Sequence, residues 1–182
     1  MDERIILSKP QLLELENHIR LSRHVERYSL LRQYASGNVL DMACGCGYGS
    51  HLLATNPAVE HVTGVDADAE AIAHAQLHFQ NPKITFLKST IEDFTSKRKL
   101  DLVISVETIE HLKDISVFVE CLRRNEVGKF IVTYPSKKTT HYNKFHYHDL
   151  SFNAVEKLFS EYRLERYFNW QHEFDVCFFR HS

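Results

Sequence analysis

At the start of the chain, apolar positions recur at helical spacing: Leu12, Leu15 and Ile19, then Leu21, Val25, Tyr28 and Leu31. The period predicts one or two helices over residues 11–34. Pro10 is compatible with a helix start, where its missing N–H has no bond to lose. Ser36-Gly37 ends the stretch, because glycine is favoured just past a helix. From residue 38 the period changes. Short apolar runs predict strands at 38–42, 60–65, 84–87, 100–105 and 129–133, and amphipathic runs predict helices at 48–55 and 69–79. Asp68 is a suitable N-cap for the second of these. Asn56-Pro57 and Asn81-Pro82 stop them. Ile115, Phe118, Val119 and Leu122 form another helical stripe. Residues 134–150 have no period and read as a long loop. Ser151 then caps a last helix with Val155, Leu158, Phe159 and Tyr162 facing inward, and residues 164–170 and 174–180 read as closing strands.

Five strand–helix alternations call for a parallel sheet, since parallel neighbours need a crossover and its helices cover both faces. The short connection between the last two strands makes them antiparallel neighbours. The expected fold is therefore α/β, a Rossmann-like doubly wound sheet. At 182 residues, 43% of them hydrophobic, the chain suits one core and one domain over 1–182. Residues 1–36 would be an N-terminal helical segment packing on that core. Lysine and arginine number 22 against 24 acids, so no overall field draws the protein to nucleic acid or a membrane surface. No leader pattern opens the chain, and no apolar run reaches the ~18 residues of a membrane span. Four cysteines without a framework spacing fit a reducing cytosol. Cys44 and Cys46 lack a second pair to complete a zinc site, and read as small residues in a turn.

That turn, VLDMACGCGYGS over 39–50, carries glycines at every second position: Gly45, Gly47 and Gly49. Glycine lets the backbone take positive φ and a ligand lie close, and the helix that follows offers unpaired N–H groups. In an open doubly wound sheet, ligands bind beyond the carboxyl ends of the strands where strand order reverses. The second strand ends at Val65-Asp66, and an acid at that place can accept both ribose hydroxyls of an adenosine. A dinucleotide fingerprint wants glycine or alanine where Ser50 stands. Asp41, before the turn, would repel a pyrophosphate but pair with an ammonium. Both point to a nucleoside cofactor carrying an amino acid, which S-adenosylmethionine does.

VLDMACGCGYGS, HVTGVDADAEAIAHA, ITFLKSTIEDF and LDLVISVETIEHL, in this order, resemble the successive motifs of class I S-adenosylmethionine-dependent methyltransferases. The most similar branch has an N-terminal helix ending in Arg-Tyr (Arg27-Tyr28), the form ACGxGYGS, an EHL after strand four and N-x-F-H after strand five (Asn143, Phe145, His146). The resemblance spans about residues 24–162 and implies seven strands in the order 3-2-1-4-5-7-6, with strand seven antiparallel. It also implies cofactor contacts from Tyr28, Asp41, Ala43, Cys44, Gly45, Asp66 and Glu107, with Ala67, Thr90 and Ile91 near the adenine. The family often has an acid where Thr90 stands.

Methyl transfer from a sulfonium needs an aligned nucleophile and, for a hydroxyl, a base near neutrality. Histidine fits. His111 follows strand four and His146 follows strand five, so both are expected to face the same crevice as catalytic residues. Glu107, Glu110, His111 and His146 also resemble the metal set of the Hen1 family, which methylates the terminal ribose 2′-hydroxyl of small RNAs with magnesium; the balanced charge argues against an RNA grip. The loop at 134–150, with Tyr134, Lys137, Lys138, His141, Tyr142, Tyr147 and His148, suits a sugar, a phenol or a small polar metabolite. The leading expectation is an enzyme that methylates an oxygen, less readily a nitrogen, of a small polar or sugar-like acceptor. No cap domain is present, so the acceptor is large or is bounded by a partner subunit or a second copy. A non-catalytic cofactor-binding partner subunit and a nicotinamide oxidoreductase are the other readings.

Overall fold

The computed structural model describes residues 8–181; residues 1–7 of the expected N-terminal segment lie outside the described residues. One helix, α1 (Lys9–Leu31), takes the place of the one or two expected. Ser8 caps it through a reciprocal pair with Gln11, and Pro10 stands in its first turn, where a missing N–H costs nothing. Only the end of α1 is buried. Tyr28 and Leu31 enter the core, whereas the apolar stripe Leu12, Leu15, Ile19, Leu21 and Val25 is exposed.

Seven strands form one sheet in the order β3-β2-β1-β4-β5-β7-β6. They are β1 (Gly37–Met42), β2 (Val59–Asp66), β3 (Ile84–Lys88), β4 (Leu102–Val106), β5 (Lys129–Pro135), β6 (Tyr162–Trp170) and β7 (Phe174–His181). β7 runs antiparallel to both β5 and β6, and the remaining pairs are parallel. The helices that follow are α2 (Tyr48–Ala54), α3 (Ala69–His78), α4 (Ser116–Arg124) and α5 (Phe152–Leu158). Alternate residues of each strand point to opposite faces. On one face Leu40, Val103 and Phe130 pack with Phe118 and Val155; on the other Val39, Val62 and Ile104 pack with Leu31 and Leu53. Covered on both sides, β4 is buried throughout, as a central parallel strand must be.

The outcome departs from the sequence reading in three places. No helix joins β3 to β4, so one of the five expected alternations is a turn-rich crossover. Tyr162 opens β6 and is not on the last helix, which stops at Leu158. Tyr134 belongs to β5, not to a loop. It is fully buried with its hydroxyl 3.7 Å from Cys177 Sγ, so it cannot face an acceptor. The aromatic ring satisfies a core position at a strand end where period alone looks broken. All four cysteines are free, and no helix among the described residues is long and apolar enough to cross a membrane.

Candidate active site

Strand order reverses at β1, flanked by β2 and β4, and the turn after β1 therefore opens into a crevice. Ala43, Gly45 and Gly47 all take positive φ there, at 62°, 53° and 88°. A side chain at Gly45 would meet nothing within 4 Å, so the space above it is open to a ligand, and what Gly45 requires is its left-handed backbone. Gly49 is different. A Cβ on it would come within 2.2 Å of the Tyr28 ring, so the last turns of α1 can lie on α2 only because this position is bare.

Asp41 lies beneath the turn and not in the crevice. It is wholly buried, accepting hydrogen bonds from the Tyr28 hydroxyl at 2.9 Å and the Ser50 hydroxyl at 2.6 Å. Burial pushes its carboxyl up to about 6, against the pull of those two donors. The direct ammonium pairing expected of Asp41 is not what this geometry offers. It fastens α1 and α2 to β1. Sequence spacing placed the acid at the strand end but could not tell which face of the turn it would occupy.

Asp66 and Gly45 do meet. One carboxylate oxygen of Asp66 accepts the Gly45 N–H at 2.8 Å, and the other accepts the Asp68 N–H at 2.9 Å. Each oxygen keeps a lone pair. A cavity of about 290 Å³ beside it is lined by Asp66, Ala67, Thr90, Ile91 and Glu92. The Thr90 hydroxyl donates to Asp93 at 2.9 Å, which ties the threonine to its own turn. A second cavity of about 490 Å³ is lined by Arg27, Tyr28, Cys44, Gly45, Tyr48, Glu110 and His146, among others. Ala43, Glu107 and His111 border both cavities.

Glu107 holds an unusual backbone, φ 51°, a conformation costly for a residue with a Cβ unless its surroundings impose it. They do. Its N–H donates to Thr133 and its carboxylate accepts the Thr133 hydroxyl at 3.1 Å and Arg27 Nη2 at 3.3 Å. Burial raises its proton affinity, and the Arg27 guanidinium opposes that. Arg27 lies over the Phe174 ring at 4.7 Å.

Beyond Glu107 comes a single helical turn, Ile109–His111. The loop at 136–150 is pinned to it: the Tyr147 N–H donates to the Glu110 carbonyl, and His111 Nδ1 lies 3.0 Å from the Phe145 carbonyl. A carbonyl only accepts, so Nδ1 carries a proton, and in the neutral ring Nε2 keeps its lone pair. His111 and His146 rings meet edge to face with centroids 4.4 Å apart. His146 Nδ1 lies 2.6 Å from the Thr139 hydroxyl. Burial, then the charge of His111, holds its pKa below the usual histidine value. Both histidines expected to be catalytic thus stand together on the larger cavity.

Glu110 is almost fully buried, and neither of its carboxylate oxygens has a hydrogen-bond partner. Burial first, and then Glu107, pushes its carboxyl up to about 9. Ligand atoms of Glu110, His111 and His146 lie within 4.8 Å of one another. Glu107, the fourth member of the expected metal set, is outside this group, its oxygens engaged by Arg27 and Thr133. The set of one carboxylate and two imidazoles suits a first-row transition ion better than magnesium, which prefers oxygen.

With no metal present, Glu110 binds a proton in the folded chain over a pH range where the unfolded chain has released it. Stability therefore falls as pH rises from near the ordinary glutamate value towards about 9. Urea unfolding in chelator should show Glu110→Gln more stable than the wild type at pH 9, on the order of a few kcal/mol, and nearly equal to it at pH 5. Equal stability at both pH values would contradict the burial of an unpaired carboxyl.

Arg27, Thr133 and Thr139 are among the participants not predicted as site residues. Arg27 was visible as half of the Arg-Tyr pair, but nothing local aims it at a residue 80 positions away. Thr139 gave no signal.

Residues 39–125 match the family described as a methyltransferase domain. A probable S-adenosylmethionine-dependent methyltransferase of Mycolicibacterium smegmatis is 31% identical over 151 residues, covering 78% of this chain and 56% of the relative. A ubiquinone biosynthesis O-methyltransferase of Rickettsia bellii is 34% identical over 113 residues, covering 59% of this chain and 45% of the relative. The chain thus spans about half the length of these curated relatives. The solved methyltransferase domain of a bacterial Hen1 superposes with a TM-score of 0.69 at 20% identity, covering 88% of this chain and 97% of that one; at such identity the likeness is one of fold.

Proposed function

Because residues 39–125 match a methyltransferase-domain family and a similar protein is described as S-adenosylmethionine-dependent, we propose that this chain transfers a methyl group from S-adenosylmethionine to an oxygen, secondarily a nitrogen, of a small polar or sugar-like acceptor. The observation that carries this is the junction of the two cavities at Ala43, Glu107 and His111. The smaller one, with Asp66, Ala67, Thr90 and Ile91 on its wall, suits a nucleoside. The larger one, with His111 and His146, suits an acceptor. When bound, the cofactor supplies an electrophilic methyl group on a sulfonium. His111 Nε2 would take the proton of an acceptor hydroxyl placed in the larger cavity. Glu107 and the Ala43 backbone, which border both cavities, would hold the cofactor where the two meet, and alignment of this kind accounts for much of the rate of such transfers.

The exposed rings of Tyr142, Phe145 and Tyr147 leave the acceptor side open. That favours an acceptor extending past the cavity, or a second subunit closing it. Incubation with methyl-labelled donor and a panel of sugars, phenols and amines should give a labelled methyl ether. Label on amines alone would overturn the oxygen assignment. Binding of donor without transfer to any acceptor would instead fit a non-catalytic cofactor-binding subunit.

A second reading is a metal-dependent ribose 2′-O-methyltransferase of the Hen1 kind. The unpartnered oxygens of Glu110 beside two imidazoles favour it, because a cation would ionise the carboxyl and satisfy it. Under this reading Glu110, His111 and His146 would hold the cation, which would supply Lewis-acid activation of an acceptor hydroxyl. Chelator should abolish transfer and manganese or cobalt restore it, and a short RNA should outcompete sugars.

A further inference from the structure

The crossover without a helix leaves part of the sheet bare. In a doubly wound sheet the crossover helices cover both faces. Here α3 covers the outer strands on one face, where Phe86 of β3 packs on Ile72 and Ala75. On the other face α4 and α5 supply Phe118 and Val155 to the core, but β2 and β3 have only the segment 89–101 beside them. There Thr63 stands opposite Thr85 and Val65 opposite Leu87, and Leu87 remains 44% exposed. A hollow of about 280 Å³ results, lined by Leu87 and Phe94 and also by Lys97 and Arg98.

Its charge is one-sided. No acid lines it among the described residues, and no salt bridge among them joins Lys97 or Arg98 to a carboxylate. His61 borders the same hollow with its Nε2 3.1 Å from the Thr85 hydroxyl. Burial, then the Arg98 charge, holds the His61 pKa below the usual value, which places a cation near the ring. When Nε2 carries the proton and donates it, the Thr85 O–H is left for another acceptor. The segment is also held in place. Arg124 donates to the Ile91 and Phe94 carbonyls at 2.8 and 3.1 Å, Asn125 accepts the Ser96 N–H at 2.6 Å, and the Ser96 hydroxyl accepts the Arg98 N–H at 3.2 Å. A wall fixed in advance costs less entropy when something binds to it.

We propose that this hollow is a second ligand site, for a small organic anion that carries a phosphate on a compact apolar body. Lys97, Arg98 and the Thr85 hydroxyl donate to the phosphate, and the body lies on Leu87 and Phe94. Both halves are needed, because a bare phosphate leaves Leu87 in water and a neutral body leaves the cations without an anion. The site lies apart from the crevice beside Asp66 and does not depend on which cofactor that crevice takes.

The probe is phenyl phosphate, with inorganic phosphate and phenol as its two halves, followed by amide NMR shifts on the full chain at fixed ionic strength. Phenyl phosphate should shift the amides of Thr63, Thr85, Leu87 and residues 95–98, and should bind more tightly than either half. Lys97 and Arg98 are exposed, so replacing Lys97→Gln together with Arg98→Gln keeps the fold. That variant should bind phenyl phosphate roughly tenfold more weakly, the effect of losing a hydrogen bond to a charged group, with phenol binding unchanged. Thr85→Val keeps both cations and should cost about threefold, the worth of a neutral hydrogen bond. Inorganic phosphate binding as tightly as phenyl phosphate, shifts confined to the walls around Asp66 or His111, or an affinity unchanged in the double variant would each overturn the site. So would line broadening at Leu87 that grows with protein concentration in the absence of probe, the mark of a second copy covering this face.

Discussion

Asp66→Ala is expected to weaken binding of S-adenosylhomocysteine by about a hundredfold or more, the largest loss of any single substitution on the nucleoside side. The carboxylate sits at the carboxyl end of β2 with each oxygen already accepting one backbone N–H, from Gly45 and from Asp68. Those bonds fix its orientation, so its remaining lone pairs are presented without further loss of side-chain freedom. Two hydroxyl donors meeting a prepared carboxylate gain roughly 1.5–3 kcal/mol each, and the substitution removes both. It also strips the acceptor from Gly45 N–H, which loosens the turn. Asp66→Asn separates the effects: one oxygen still accepts, so binding should fall less while the turn holds. Calorimetry on wild type, Asn and Ala variants decides it. Equal affinity in all three would remove Asp66 from the cofactor site.

The second large effect falls on turnover. His111→Asn should reduce kcat by about a hundred- to ten-thousandfold, the usual worth of a positioned base, with little change in cofactor affinity. The tautomer is set by a main-chain carbonyl, Phe145, at 3.0 Å from Nδ1, leaving Nε2 ready to accept a proton. His146 lies against it edge to face, and its pKa is held below the ordinary value by burial and by His111. A neighbour that resists protonation keeps the pair from becoming doubly charged. A rate that needs His146 neutral should therefore rise with pH and level off below the usual histidine range. His146→Asn should change the position of that rise more than its height. Rates that are flat across pH 5 to 8 in the wild type would argue for alignment alone, with no proton accepted by either ring.

Much of this architecture was legible from residue order because each signal was local. The glycines at every second position and the acid twenty residues on lie within one strand–turn–helix–strand unit, and the structure joins them by a direct bond between Gly45 and Asp66. The pairing of His111 with His146 was legible for another reason: two strands adjacent in the sheet must deliver their following loops to one edge. What escaped was direction. Asp41 and Tyr134 both end strands, where alternation gives two faces and the next turn decides between them. Asp41 went under the turn, because Tyr28 and Ser50 each had a hydroxyl to give it, and Tyr134 went into the core. Arg27 escaped for lack of any local constraint, since its partners Glu107 and Phe174 come from β4's far end and from β7. The stripe along α1 misled in the opposite sense. Its period is helical, yet only the last turns are buried, so periodicity reported the helix correctly and its environment wrongly.

The hold of Tyr28 on Asp41 and on the bare flank of Gly49 carries a practical corollary. The recognisable domain begins at residue 39 and ends at residue 125, yet the buried acid inside it depends on a phenol eleven residues upstream of that border, and the arginine and threonine that restrain Glu107 come from either side of it. A fragment trimmed to the recognisable limits would expose a hole over Gly49 and strand a carboxylate in oil. A fragment meant to stay folded should therefore reach at least from Arg27 to Thr133.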